Sequence, residues 1–100
     1  MSGFVVVVVP AAELDIVDAF LWYQGRNAQA ADAFRAAVFD TIDQIGAAPL
    51  SRPEDGDHNR HRVLRRFPYS VIYELLGDTV TILAVAHHRR KPNYWRSGQP

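Results

Sequence analysis

Residues 60–95 read RHRVLRRFPYSVIYELLGDTVTILAVAHHRRKPNYW, and the way this stretch breaks decides the fold. Residues 61–67, 69–75 and 79–87 are each of strand length and rich in Val, Ile, Tyr and Thr, the residues that suit a pleated, half-buried surface. Gly77-Asp78 between the last two is a two-residue hairpin signal. Pro68 between the first two cannot donate to a ladder, so Phe67-Pro68-Tyr69 marks a tight connection. The stretch predicts a three-stranded antiparallel meander that ends in a basic cluster.

Working outward toward the N-terminus, residues 47–59 are polar and punctuated by Pro49, Pro53 and Gly56, the composition of an exposed loop, and no element is placed there. Before it, Ala31, Phe34, Val38, Ile42 and Ile45 recur at three- and four-residue spacing and predict a helix that Gly46 and Pro49 end. Asn27 is its N-cap and Gly25 the C-cap of an earlier helix over residues 10–23, so the two form a hairpin. In that earlier helix Leu14, Val17 and Leu21, with Ile16, Phe20 and Tyr23 alongside, make a broad apolar stripe. FVVVVV at residues 4–9 has no polar alternation, as expected of a short strand covered on both faces. The order β-α-α-β-β-β predicts an α+β fold, a helical hairpin on one face of a four-stranded, mainly antiparallel sheet. A meander offers the first strand either edge, and the sheet's other face is left partly open.

The chain has 100 residues, 48% of them apolar and 22% charged, and no cysteine. A single domain over residues 1–100 is expected, with a basic tail over 88–100, since this length buries roughly two-thirds of its unfolded surface. Lack of cysteine excludes disulfides, thiolate zinc sites and cysteine nucleophiles. Residues 4–9 are too short to span a bilayer and no basic residue precedes them, so a cytoplasmic protein without membrane contact is expected. The net charge of zero is unevenly divided. Residues 1–50 carry two arginines against six carboxylates, and residues 51–100 carry nine cations against five, which places a basic surface in the second half.

Taken in order, Pro10-Ala11, the helical hairpin closed by a Pro49-containing loop, the basic strand, Phe67-Pro68-Tyr69, Val71-Ile72-Tyr73-Glu74 and the ending in His87 and Arg89-Arg90 resemble the RelE/ParE toxin superfamily, whose members are also called plasmid stabilisation proteins. The resemblance covers roughly residues 4–96, and its ending AVAHHRRKPNYW is more similar to ParE than to RelE. It implies the toxin component of a type II toxin–antitoxin system, neutralised by a cognate antitoxin with which it forms a hetero-oligomer. ParE-like members poison DNA gyrase. RelE-like members are endoribonucleases that cut messenger RNA on the ribosome. A member that only binds its antitoxin is a third possibility.

Three groups of residues are candidates for these roles. On the basic strand, side-chain alternation puts Arg65 with Val63 and Phe67 and Arg62 with Leu64 and Arg66. Arg62, Arg65 and Arg66 are the antitoxin-binding candidates, because cations there suit an acidic segment or phosphates, although charge on a strand also serves simply to deter edge pairing. Arg89, Arg90, Lys91, Tyr94 and Trp95 are the target-binding candidates, a mixture of charge and aromatics typical of interaction hot spots. Were the chain a nuclease, Arg65, His87, Arg89 and Tyr94 would carry the chemistry, His87 shuttling protons, the arginines stabilising charge, and Tyr94 acting only with a strongly altered pKa. Glu54, Asp55 and Asp57 stand where several RelE-like nucleases place lysines, and the reading therefore leans away from an enzyme. Adjacent His87 and His88 point to opposite faces of a strand, so no metal site and no cofactor are expected.

Overall fold

The computed structural model describes residues 3–90 and Tyr94. Its elements run β1 (Val5–Val8), α1 (Pro10–Gln24), α2 (Ala28–Ala47), a single 3₁₀ turn (Pro49–Ser51), β2 (Arg60–Val63), β3 (Tyr69–Leu76) and β4 (Thr79–His87). The sheet order is β1-β4-β3-β2, with β1 parallel to β4 and the other two pairs antiparallel. The first strand thus joins the meander at its β4 edge, and β2 is left as the opposite edge.

Local chemistry explains the hairpin of helices. Asn27 Oδ1 accepts the amides of Gln29 at 2.9 Å and Ala30 at 3.1 Å, satisfying two donors at the start of α2. Gly25 ends α1, its amide bonded to the Leu21 carbonyl at 3.0 Å. Phe34, Val38 and Ile45 of α2 are buried against Val71 and Tyr73 of β3 and Val80, Ile82 and Val85 of β4. The Tyr73 hydroxyl donates to the Pro49 carbonyl at 2.7 Å, so the core's largest side chain is also satisfied as a polar group. Among the described residues no helix is long and apolar enough to cross a membrane.

Four sequence expectations are corrected. First, β1 is not covered on both faces. It is an edge strand in which Val6 meets Gly46 of α2, while its alternate neighbours Val5 and Val7 point to the other face and are 54% and 44% exposed. Second, Leu14, Val17 and Leu21 face outward, Leu14 being 62% exposed, while Ala12 and Ala19 are buried. The helix is apolar nearly all round, and the side that lies closest to β4 takes the small residues. Third, Gly46 lies inside α2 and not beyond it. A Cβ there would come within 3.0 Å of Val6 Cγ2, so the glycine lets β1 approach the helix. Fourth, β2 stops at Val63, four residues short of the predicted end, and Arg66 takes a left-handed φ of 70° in the connection to β3.

The predicted loop carries more order than its composition suggests. Asp55 Oδ1 accepts the amides of Asp57 at 2.8 Å and Asn59 at 3.0 Å, and its Oδ2 meets His61 Nε2 at 2.9 Å. The other face of the sheet is not bare either. Ile72, Ala84 and Ala86 are buried there, with Leu83 and Tyr94 packed against them. Leu83 is the extra residue of a β-bulge, since Ile72 pairs with Ala84 and Tyr73 with Ile82.

Candidate functional site

Two grooves flank the helical hairpin. The first, about 570 Å³, runs between α2 and the β2 edge. Its helix wall is low because Ala33, Ala36 and Ala37 line it, followed by Asp40, Thr41 and Gln44, and the opposite wall carries Arg52, Arg62, Arg65 and Arg66 around Val63 and Phe67. Arg62 is held by neutral groups. Its Nε and Nη2 donate to Gln44 Oε1 at 3.2 and 2.8 Å, and Nη1 to Ser51 Oγ at 3.3 Å. Such bonds orient a guanidinium without cancelling its charge. Arg65 and Arg66 have no ion-pair partner among the described residues, and Asp40 is the one carboxylate on the groove's walls.

The second groove, about 520 Å³, lies between α1 and the end of β4, lined by Asp15, Asp18, Trp22, Tyr23, Tyr69, His87 and Arg90 among others. Here charges meet partners. Asp15 Oδ2 accepts the Val85 amide at 3.0 Å and the Tyr94 hydroxyl at 2.8 Å. The Arg90 guanidinium lies 3.8 Å from the Tyr94 ring centroid. Burial raises the Asp15 pKa above the ordinary carboxylate value, against the opposing pull of the Val85 and Tyr94 hydrogen bonds and of Arg90, with Asp18 raising it further. Tyr94 is likewise pushed well above the ordinary phenol value, by burial first and then by the bond to Asp15 and the charge of that carboxylate. The His87 ring stands edge-on to Tyr69 with centroids 5.0 Å apart. His88 Nε2 instead meets Ser70 Oγ at 3.0 Å on the other side of the sheet.

Comparison with known proteins bears directly on this arrangement. The family described as ParE toxin of type II toxin-antitoxin system, parDE, matches residues 6–92. The chain belongs to the ParE toxin family. Toxin ParE2 of Mycobacterium tuberculosis, in strains CDC 1551 / Oshkosh and ATCC 25618 / H37Rv, is 32% identical over 82 residues, which is 81% of this chain and 78% of the relative. A solved chain of the chromosomal ParDE TA system from P. aeruginosa superposes with a TM-score of 0.75 at 16% identity, over 84% of this chain and 95% of that one, and shares its fold. This is therefore a ParE-type toxin of a type II toxin–antitoxin system, as the resemblance implied.

Within this ParE fold, the sequence-predicted residues separate. Arg62, Arg65 and Arg66 gather in the first groove, with Arg52 as an addition that sequence reading assigned to the loop. Arg90 and Tyr94 meet at the second, Arg89 follows His87 with its amide on His87 Nδ1 at 3.0 Å, and Lys91 and Trp95 lie outside the described residues. The nuclease set is not brought together. Arg65 lines the first groove and His87 the second, while the Tyr94 hydroxyl is committed to Asp15. Sequence reading missed Asp15, Asp18, Trp22, Tyr23 and Tyr69. Asp15 had a signal: it stands three residues after Ala12 and four before Ala19, a carboxylate on the buried face of α1. Among the described residues no group of three or more His, Cys, Asp or Glu could hold a metal ion.

Proposed function

We propose that this ParE-type toxin arrests growth by binding DNA gyrase as a protein poison, through the basic end of β4 with Arg89, Arg90, Lys91, Tyr94 and Trp95, and performs no chemistry of its own. In the same reading, a cognate antitoxin silences it by laying an acidic segment along the first groove, against Arg62, Arg65 and Arg66. Both partners are cytoplasmic, and the silent form is a hetero-oligomer. The observation that carries the binding reading is the state of Tyr94. A phenol that donates to a carboxylate and has its pKa pushed upward is the reverse of what a general base near neutrality requires. The antitoxin reading rests on Arg62, Arg65 and Arg66, which among the described residues have no carboxylate partner, presented beside the outer edge of β2 that Glu54 bridges at Arg60, a surface suited to an extended acidic chain.

The test is growth arrest with gyrase supercoiling and message cleavage measured in parallel. Tyr94→Phe is expected to remain growth-inhibitory and keep most of its activity at a measurably reduced potency, whereas the double change Arg89→Ala, Arg90→Ala removes gyrase inhibition while leaving the antitoxin complex intact. Ribosome-dependent cleavage of message by the wild-type chain, lost in Tyr94→Phe, would instead establish a RelE-type nuclease. The antitoxin half is tested by co-expressing the protein encoded beside this gene, which is expected to co-purify with the toxin and relieve arrest.

A further inference from the structure

We propose that Asp15 is the anchor of the C-terminal segment, joining the Val85 amide of β4 to the Tyr94 hydroxyl and so positioning the Arg89-Arg90 cluster beside the second groove. Pairing of β1 with β4 ends at Ile82, yet β4 continues to His87, so among the described residues its outer edge over 83–87 has no neighbouring strand. A side chain from α1 takes the place of the missing acceptor there. The bulge at Leu83 is what lets this happen, because the extra residue resets the strand's phase in the stretch that carries the Val85 amide. Burying a carboxylate at a helix–sheet junction is unfavourable unless its oxygens are used, and a single oxygen of Asp15 accepts both the Val85 amide and the Tyr94 hydroxyl.

Tyr94 completes the clamp. Its ring packs with Ile72, Ala84 and Ala86 on the sheet face away from the helices, while its hydroxyl reaches round the β4 edge to α1. Arg90 lies over that ring, so one cation of the target-binding cluster is seated on the anchored residue. What the anchor positions rests on the functional reading above; that the anchor exists does not.

The experiment is tryptic cleavage of the full chain after Arg89 and Arg90, followed by mass spectrometry, in a cycle of Asp15→Ala, Tyr94→Phe and the double variant. Each single change is expected to speed cleavage at these two bonds roughly tenfold, the effect of losing one charge-assisted hydrogen bond. The double variant is expected to be no faster than the faster single, because both break one linkage. Asp15→Asn, whose carboxamide oxygen still accepts, is expected to restore cleavage to near the wild-type rate. Cleavage after Arg35 in α2 reports global unfolding and is expected to stay unchanged. Additive effects, no rescue by Asn, or equal acceleration after Arg35 would overturn the anchor. Faster cleavage in Tyr94→Phe without any loss of potency against gyrase supercoiling would overturn its positioning role. If the wild-type chain does not inhibit gyrase at all, the functional reading fails and the proteolysis result decides the anchor by itself.

Discussion

The two grooves are built from opposite solutions to the same electrostatic problem. Between α2 and β2, Arg62 is oriented by a glutamine and a serine, and Arg65 and Arg66 have no ion-pair partner among the described residues, so the charge of the groove is left uncancelled. Between α1 and β4, Asp15 accepts from the Tyr94 hydroxyl and Arg90 lies over the Tyr94 ring, so these side chains are bound to one another. A surface of the first kind is prepared for a partner of opposite sign, since electrostatic complementarity speeds encounter and selects among partners. A cluster of the second kind holds segments of one chain together. The grooves nevertheless share a floor. The Phe34 ring lies 5.4 Å from Phe67, which lines the first, and 5.3 and 5.0 Å from Tyr23 and Tyr69, which line the second.

That shared floor gives the largest expected effect. Phe34→Ala should cost roughly 3–5 kcal/mol, a large part of a small domain's stability, and should collapse both grooves together in a denaturant titration. A variant with an unchanged melting temperature would show that the grooves do not depend on a common core. The next effect separates them. Arg65→Ala with Arg66→Ala is expected to weaken antitoxin binding by roughly tenfold to a hundredfold, mainly through the association rate and less at high salt. Arg89→Ala with Arg90→Ala should leave that affinity unchanged, and equal losses from the two pairs would erase the distinction.

Smaller effects come from two carboxylates whose shifts have opposite signs. The Asp15 pKa is raised, so its contribution to stability is present in acid and lost as pH rises through the raised value. Asp55 is lowered. Slight burial acts against this but is outweighed by the Asn59 and Asp57 amides and His61, so its contribution is present above the ordinary carboxylate range and lost as pH falls through the lowered value. Urea unfolding between about pH 3 and 7, a window spanning the carboxylate range, should show Asp15→Asn gaining on the wild type as pH rises. Asp55→Asn should lose to it at neutral pH and converge with it in acid. The smallest effect is at Arg66, whose φ of 70° favours glycine. Arg66→Gly is expected to change stability by less than about 1 kcal/mol, in the stabilising direction, while weakening antitoxin binding.

The element order, the Asn27 cap, the Gly77-Asp78 turn and the core face of α2 were legible because each rests on local chemistry or on a periodicity with contrast. Phe34, Val38 and Ile45 alternate with polar residues, so only one face could be buried. The α1 face was not legible, because a helix apolar on most sides gives no contrast, and close packing on β4 selects Ala12 and Ala19 over the larger Leu14 and Leu21. Nor was the cover of β1, which depends on what packs over each of its faces. The basic residues of the first groove could be named from sequence. Their separation from His87 and Tyr94 could not, since it depends on β2 ending at Val63 and on the sheet order that places β2 and β4 on either side of β3.

The bulge at Leu83 also works as a wiring selector. Upstream of it, Val80 and Ile82 face the helices, and beyond it the alternation restarts, so that Val85 faces the helices, Ala84 and Ala86 face away, and His87 and His88 fall on their respective sides. Were β4 to run through Leu83 as regular strand with no bulge, the two histidines would exchange faces and the two alanines would turn inward, without altering any side chain of the basic cluster. The composition of the β4 ending is thus an inventory of parts, and one bulge decides the circuit into which they are soldered.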